Sequence, residues 1–176
     1  MIFSIREFVD VLIMTGVVGF IFKDLFKQVD RPFLFSCLVT APALILHELA
    51  HKFIALGFGL QATFHAAYFW LVLGIIMKLA NFGFIFFVPA YVSIDAVGAQ
   101  LTPLSSALVA GSGPFTNLAL FGIAWAFLQQ KKLKTRTYIF LQVTKQINLF
   151  LFVFNMLPLP MFDGLKFYQG ILQVLF

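Results

Sequence analysis

Charge is scarce in this chain. Of its 176 residues, 11% are Asp, Glu, Lys or Arg, where ordinary soluble domains carry about 25%. Cysteine is almost absent. The single Cys37 lies in an apolar segment, which excludes an internal disulfide and every zinc motif built on cysteine pairs. There is no internal repeat and no low-complexity linker. What fills the chain instead is apolar: 61% of the residues are hydrophobic, and 25 are phenylalanine. A soluble domain of about 150 residues leaves nearly a third of its unfolded-chain surface exposed, so it could not hide this much apolar side chain. An ordinary globular enzyme and a disordered regulator are both excluded. The composition predicts an integral membrane protein.

A spanning helix takes about 20 apolar residues, so the length accommodates roughly four to six of them. The expected fold is therefore an all-α polytopic membrane protein. Four segments read as spans, at 8–22, 33–56, 104–128 and 138–157. Lys23, Asp24 and Lys27 close the first, Arg31 and Pro32 open the second, and Pro158 and Pro160 end the fourth. The tail, 165–176, is too short to cross and suits an interfacial helix or a cut-off span. Residues 68–88 are apolar enough to span but contain Lys78, Asn81, Gly74 and Gly83. A re-entrant or β-like segment at about 60–95, packed on protein, is the alternative to a further span. No cleavable signal peptide is expected, because Arg6, Glu7 and Asp10 precede or interrupt the first apolar run. The net charge of +5 fits flanking charges beside anionic lipid, not contacts to nucleic acid.

The second span contains His47-Glu48-Leu49-Ala50-His51. Residues four apart lie on one helix face, so both imidazoles can hold one zinc ion, and Glu48 can act as base on a metal-bound water. Ionisable residues inside a span are expensive and mark functional sites by default. The blander reading is that these groups hydrogen-bond to neighbouring helices, and a non-catalytic metal site is a third. Zinc hydrolysis leads. Zinc then lacks a third protein ligand. His65, in an aromatic stretch, better suits packing. Asp163 is the stronger candidate, in Asn155-Met-Leu-Pro158-Leu-Pro160-Met-Phe-Asp163-Gly164, where two prolines and a glycine break the helix.

HELAH, the Asn155–Gly164 segment and an intervening Gly113-Pro114-Phe115-Thr116-Asn117 occur in the order seen in the site-2 protease family of intramembrane zinc metalloproteases, which this chain resembles from about 40 to 165. The resemblance implies one Zn(2+) per chain, held by His47, His51 and Asp163. It implies Glu48 as the catalytic base activating a zinc-bound water, with Asn117 and Asn155 binding substrate or orienting the site. The substrate would be a peptide bond in or next to a transmembrane helix of another protein. The partners implied are that protein and the lipid bilayer, with a multi-pass location in the cell membrane. Phe162 stands where the family usually has leucine, a conservative change. For Asn117 an interhelical polar contact is an equal alternative, and the small residues 111–113 also suit close helix packing.

The expected organisation is one membrane-embedded domain over 1–176, with its catalytic core at about 33–165 and no separate soluble domain. A serine-protease reading of Ser112 fails, because no histidine follows His65. The competing class is a metal-binding membrane transporter or chaperone-like protein without proteolysis. A helical substrate has its amides paired internally and must unwind, so residues 61–70 or 85–94 are candidates to pair with it as an added strand. His51 and Asp163 reach one depth if their spans run parallel, which argues against a full crossing by 68–88. Loops 23–32 and 129–137 then share one side, and their lysines and arginines make it cytoplasmic by positive-inside counting. The resemblance implies a site nearer the cytosol, so orientation stays open.

Overall fold

The computed structural model describes residues 3–83, 88–95 and 101–176. Among these, the helices are α1 (Ile5–Phe22), α2 (Pro32–Gly57), α3 (Tyr68–Leu79), α4 (Pro103–Leu128), α5 (Thr135–Asn155) and α6 (Asp163–Leu175), with strands β1 (Gln61–Ala66) and β2 (Ala90–Asp95). Helices α2, α4 and α5 are long and apolar enough to cross a membrane. At 26 residues, α2 and α4 each rise about 39 Å, more than the ~30 Å hydrocarbon core. Large apolar side chains stay exposed along them, among them Leu38, Phe115, Phe150 and Val153, as a lipid-facing surface requires. The chain is a helical polytopic membrane protein.

The chain divides into two compact units, residues 1–45 with 63–93 and residues 46–62 with 94–176. In the first, α1 opens on a capping box: Glu7 N–H donates to Ser4 Oγ, and Ser4 N–H donates to Glu7 Oε2 at 2.7 Å. The other Glu7 oxygen accepts the Phe64 N–H at 2.8 Å, and Asp10 accepts the Ala66 N–H at 3.2 Å. Tyr68 O–H donates to the second Asp10 oxygen. Two acids three apart on a helix thus match two amides two apart on a strand. They satisfy one edge of β1, while β2 pairs with the other.

Phe64 and Ala66 turn inward onto Met14, Val18, Leu71 and Ala90, the core of this unit. Helices α1 and α2 cross closely at Gly19, where a Cβ would lie 2.2 Å from Cys37 Sγ. The 12 residues of α3 rise about 18 Å, too little to cross. Its chain leaves through Asn81 at φ 53°, a left-handed conformation that asparagine tolerates. The expected non-crossing segment is therefore a strand, a short helix and a second strand. Residues 85–87 of the candidate pairing stretch 85–94 lie outside the described residues.

In the second unit α4 packs against both α5 and α6. The α4–α6 contact is close because both sides use glycine. A Cβ at Gly170 would fall 2.6 Å from the Pro103 carbonyl oxygen, and one at Gly111 would fall 2.9 Å from the Phe167 ring.

Candidate metal centre

His47 and His51 sit one turn apart in the second half of α2, and both are buried. His51 Nδ1–H donates to the Val109 carbonyl of α4 at 2.7 Å. A backbone carbonyl only accepts, so the proton belongs on Nδ1 and the neutral ring carries its lone pair on Nε2. His47 Nδ1–H donates to Asn117 Oδ1 at 2.6 Å, with the same consequence. Both lone pairs face one point.

Asp163 completes the group. Helix α5 ends at Asn155, and Pro158 and Pro160 keep it from continuing. The chain folds back on itself through bonds from Leu159 N–H to the Leu157 carbonyl and from Phe162 N–H to the Leu159 carbonyl. Gly164 permits the fold: a Cβ there would meet the Met156 carbonyl at 2.5 Å. Asp163, first residue of α6, is thereby brought onto the histidines. Its Oδ2 lies 3.2 Å from each Nε2, and the two Nε2 atoms are 3.1 Å apart.

Two ligand atoms at about 2.0–2.1 Å from a tetrahedral zinc stand about 3.3–3.4 Å apart. The observed triangle agrees with this to within about 0.3 Å, and its two nitrogens and one carboxylate oxygen are a donor set that zinc accepts. His47, His51 and Asp163 are the group among the described residues that could hold a metal ion. Space for it depends on Gly113, where a Cβ would lie 2.3 Å from His51 Nε2 and 2.7 Å from His47 Nε2. Glu48 lies on the same helix between the two histidines, half-buried.

Of the residues expected from sequence, the fold brings His47, His51, Asp163 and Asn117 into contact. Asn155 donates to the Leu151 carbonyl of its own helix at 3.0 Å, apart from that group. His65 bonds to Ser93 Oγ at 3.0 Å and stacks near Tyr91 on the exposed face of the strand pair. Ser112 Oγ donates to the Val109 carbonyl at 2.7 Å within α4, and it also lies 3.3 Å from His51 Nδ1. Two contributors were not singled out in the sequence. The Val109 carbonyl carries no side-chain signal. Asn148, which bonds to Asn117, had one: an amide inside an apolar helix.

The chain is 37% identical over 164 residues to a protein of Methanocaldococcus jannaschii named "Putative zinc metalloprotease", covering 93% of this chain and 84% of that protein. No protein-family model and no solved structure matches the chain.

Proposed function

The chain belongs to a zinc metalloprotease family, and from that premise we propose that it is an intramembrane zinc metalloendopeptidase of the HExxH type. It hydrolyses a peptide bond in or next to a transmembrane helix of another protein, as a multi-pass protein of the cell membrane acting in regulated intramembrane proteolysis. One observation carries the reading. Two of the three converging donors, His47 and His51, lie within a helix long and apolar enough to cross a membrane.

His47, His51 and Asp163 would hold one zinc ion per chain. Bound there, zinc supplies Lewis acidity, lowering the pKa of a coordinated water towards about 7 and polarising the scissile carbonyl. Glu48 takes the proton of the attacking water and passes it to the leaving amine. The Val109 carbonyl and Asn117 hold the two rings with Nε2 facing Asp163.

The substrate must present an unwound segment, because a helix keeps its amides paired internally. Addition to β1 is disfavoured, since β2 takes one edge and the carboxylates of Glu7 and Asp10 take the other. The outer edge of β2 is the better strand for an unwound substrate to join.

A metal transporter or chaperone-like binder would have no use for a carboxylate at position 48. The test is cleavage of a helix-containing substrate in detergent by wild type and by Glu48→Gln. Wild type cuts, and the variant keeps its zinc while its rate falls by about 10²–10⁴. Undiminished cleavage by Glu48→Gln removes the mechanism.

A further inference from the structure

The two histidines are oriented by different means. His51 Nδ1 makes its short bond, 2.7 Å, to a backbone carbonyl that can only accept, and the Ser112 hydroxyl beside it at 3.3 Å already gives its proton to that same carbonyl. His47 is fixed by a side-chain amide, Asn117, which carries an acceptor and a donor on either side of one bond. Turned over, Asn117 would present Nδ2 to His47 Nδ1. The ring would then accept there, carry its proton on Nε2, and lose the lone pair that faces Asp163. Something must hold Asn117 one way round.

Asn148 of α5 stands in that position. Asn117 Nδ2 donates to Asn148 Oδ1 at 2.9 Å, and Asn148 Nδ2 donates to the Thr144 carbonyl at 2.8 Å. Both amides are buried, Asn117 at 0% exposure and Asn148 at 1%, so no bulk water competes for their groups. The direction of the chain is set at its far end. The Thr144 carbonyl can only accept, so Asn148 must turn its NH₂ there and its oxygen to Asn117. Asn117 must then turn its own NH₂ to Asn148 and its oxygen to His47. Reversing either amide would face acceptor against acceptor or donor against donor inside the protein, leaving buried polar groups unpaired.

We infer that Asn148 is a positioning residue for the metal centre: through Asn117 it selects the His47 tautomer whose Nε2 is free to bind zinc. The inference rests on the proposed zinc site but assigns a role three side chains away from the ion. Partners bonded directly to a metal-binding histidine affect metal affinity by about 10–100-fold, and Asn148 acts through such a partner.

The test measures zinc affinity of the purified full-length protein in detergent, by competition with a chromophoric chelator, across a double-mutant cycle. Asn148→Leu removes the acceptor and raises the zinc dissociation constant by about 10–100-fold. Asn117→Asp replaces the amide with a group that has no donor face, so His47 is fixed whichever way the side chain turns. In the Asn117→Asp background, Asn148→Leu then changes zinc affinity by less than about threefold. That loss of sensitivity supports the inference, because a merely structural asparagine would weaken the site equally in both backgrounds.

Equal losses in both, or unchanged affinity in Asn148→Leu alone, overturn the inference. Should Asn148→Leu fail to fold, Asn148→Asp carries the test, since it keeps an oxygen for Asn117 Nδ2. It must bind zinc within about threefold of wild type below its own titration, and a tenfold loss there overturns the inference. Wild type that binds no zinc defeats the metal site itself, a result separate from any difference among the variants.

Discussion

Gly113 approaches His51 so closely that a Cβ on it would lie 2.3 Å from the imidazole Nε2, and only 2.7 Å from the Nε2 of His47. The glycine is therefore a condition for the donor triangle to stay open. Gly113→Ala puts a methyl group where the metal must sit. In a helix interior the same change favours folding by about 1 kcal/mol in propensity. The overlap with two buried rings opposes that gain, so the expected result is a protein that binds no zinc and is no more stable than the metal-free wild type. Metal analysis alongside a denaturation midpoint checks it, and stoichiometric zinc in Gly113→Ala would refute the placement.

Asp163 holds its place through a helix break, so its loss should be felt in the metal and in stability together. Asp163→Ala leaves two nitrogens and an unfilled position, and the purified variant should lose most of its zinc. Zinc present at about 100 times its dissociation constant stabilises the wild type by about 2.7 kcal/mol. A chelator should remove that increment from wild type and leave Asp163→Ala unchanged. Full zinc content in the variant, or an equal response of both proteins to chelation, would exclude Asp163 as a ligand.

The long elements and the histidine pair were legible in the sequence for a shared reason: both are local. Spans need only unbroken apolar length, and His47 and His51 need only helical spacing. Residues 60–95 were ambiguous because a strand of six residues and a helix of 12 have the same apolar content as a piece of a span. In the sequence Glu7 and Asp10 argued only against a signal peptide. Their partners, Phe64 and Ala66, are 57 and 56 positions away. Asn155 illustrates the opposite limit. It stands in a recognisable motif, yet its side-chain bond goes to its own helix, and the amide joined to the metal centre is Asn148, seven residues earlier.

The acid–amide match between α1 and β1 predicts an effect far from any zinc chemistry. In Asp10→Asn one side-chain oxygen becomes an NH₂. It must then face either the Ala66 N–H or the Tyr68 O–H, both donors towards Asp10. The bond given up at Ala66 or at Tyr68 was made to a charged acceptor, and such bonds are worth about 1.5–3 kcal/mol. Amide hydrogen exchange over 61–68 should accelerate in this variant, while zinc content stays at the wild-type level. Unchanged protection of Ala66 would mean that the carboxylate does not secure the strand edge.

Substrate choice should follow from helix stability near the cut. A transmembrane helix opens more easily where glycine or proline weakens its hydrogen-bond ladder, glycine by about 1 kcal/mol and proline by about 3 kcal/mol relative to alanine. Replacing such residues beside the scissile bond with leucine should slow cleavage by roughly 5- to 100-fold if unwinding precedes it. Placing them back one turn away should restore part of the rate. The same series applied to a peptide already unwound in detergent should show no dependence on those residues, because its amides are free before it arrives. Equal rates across the helical series would mean that the protease takes its substrate without opening the helix, and that a strand joined to β2 is not its route to the peptide bond.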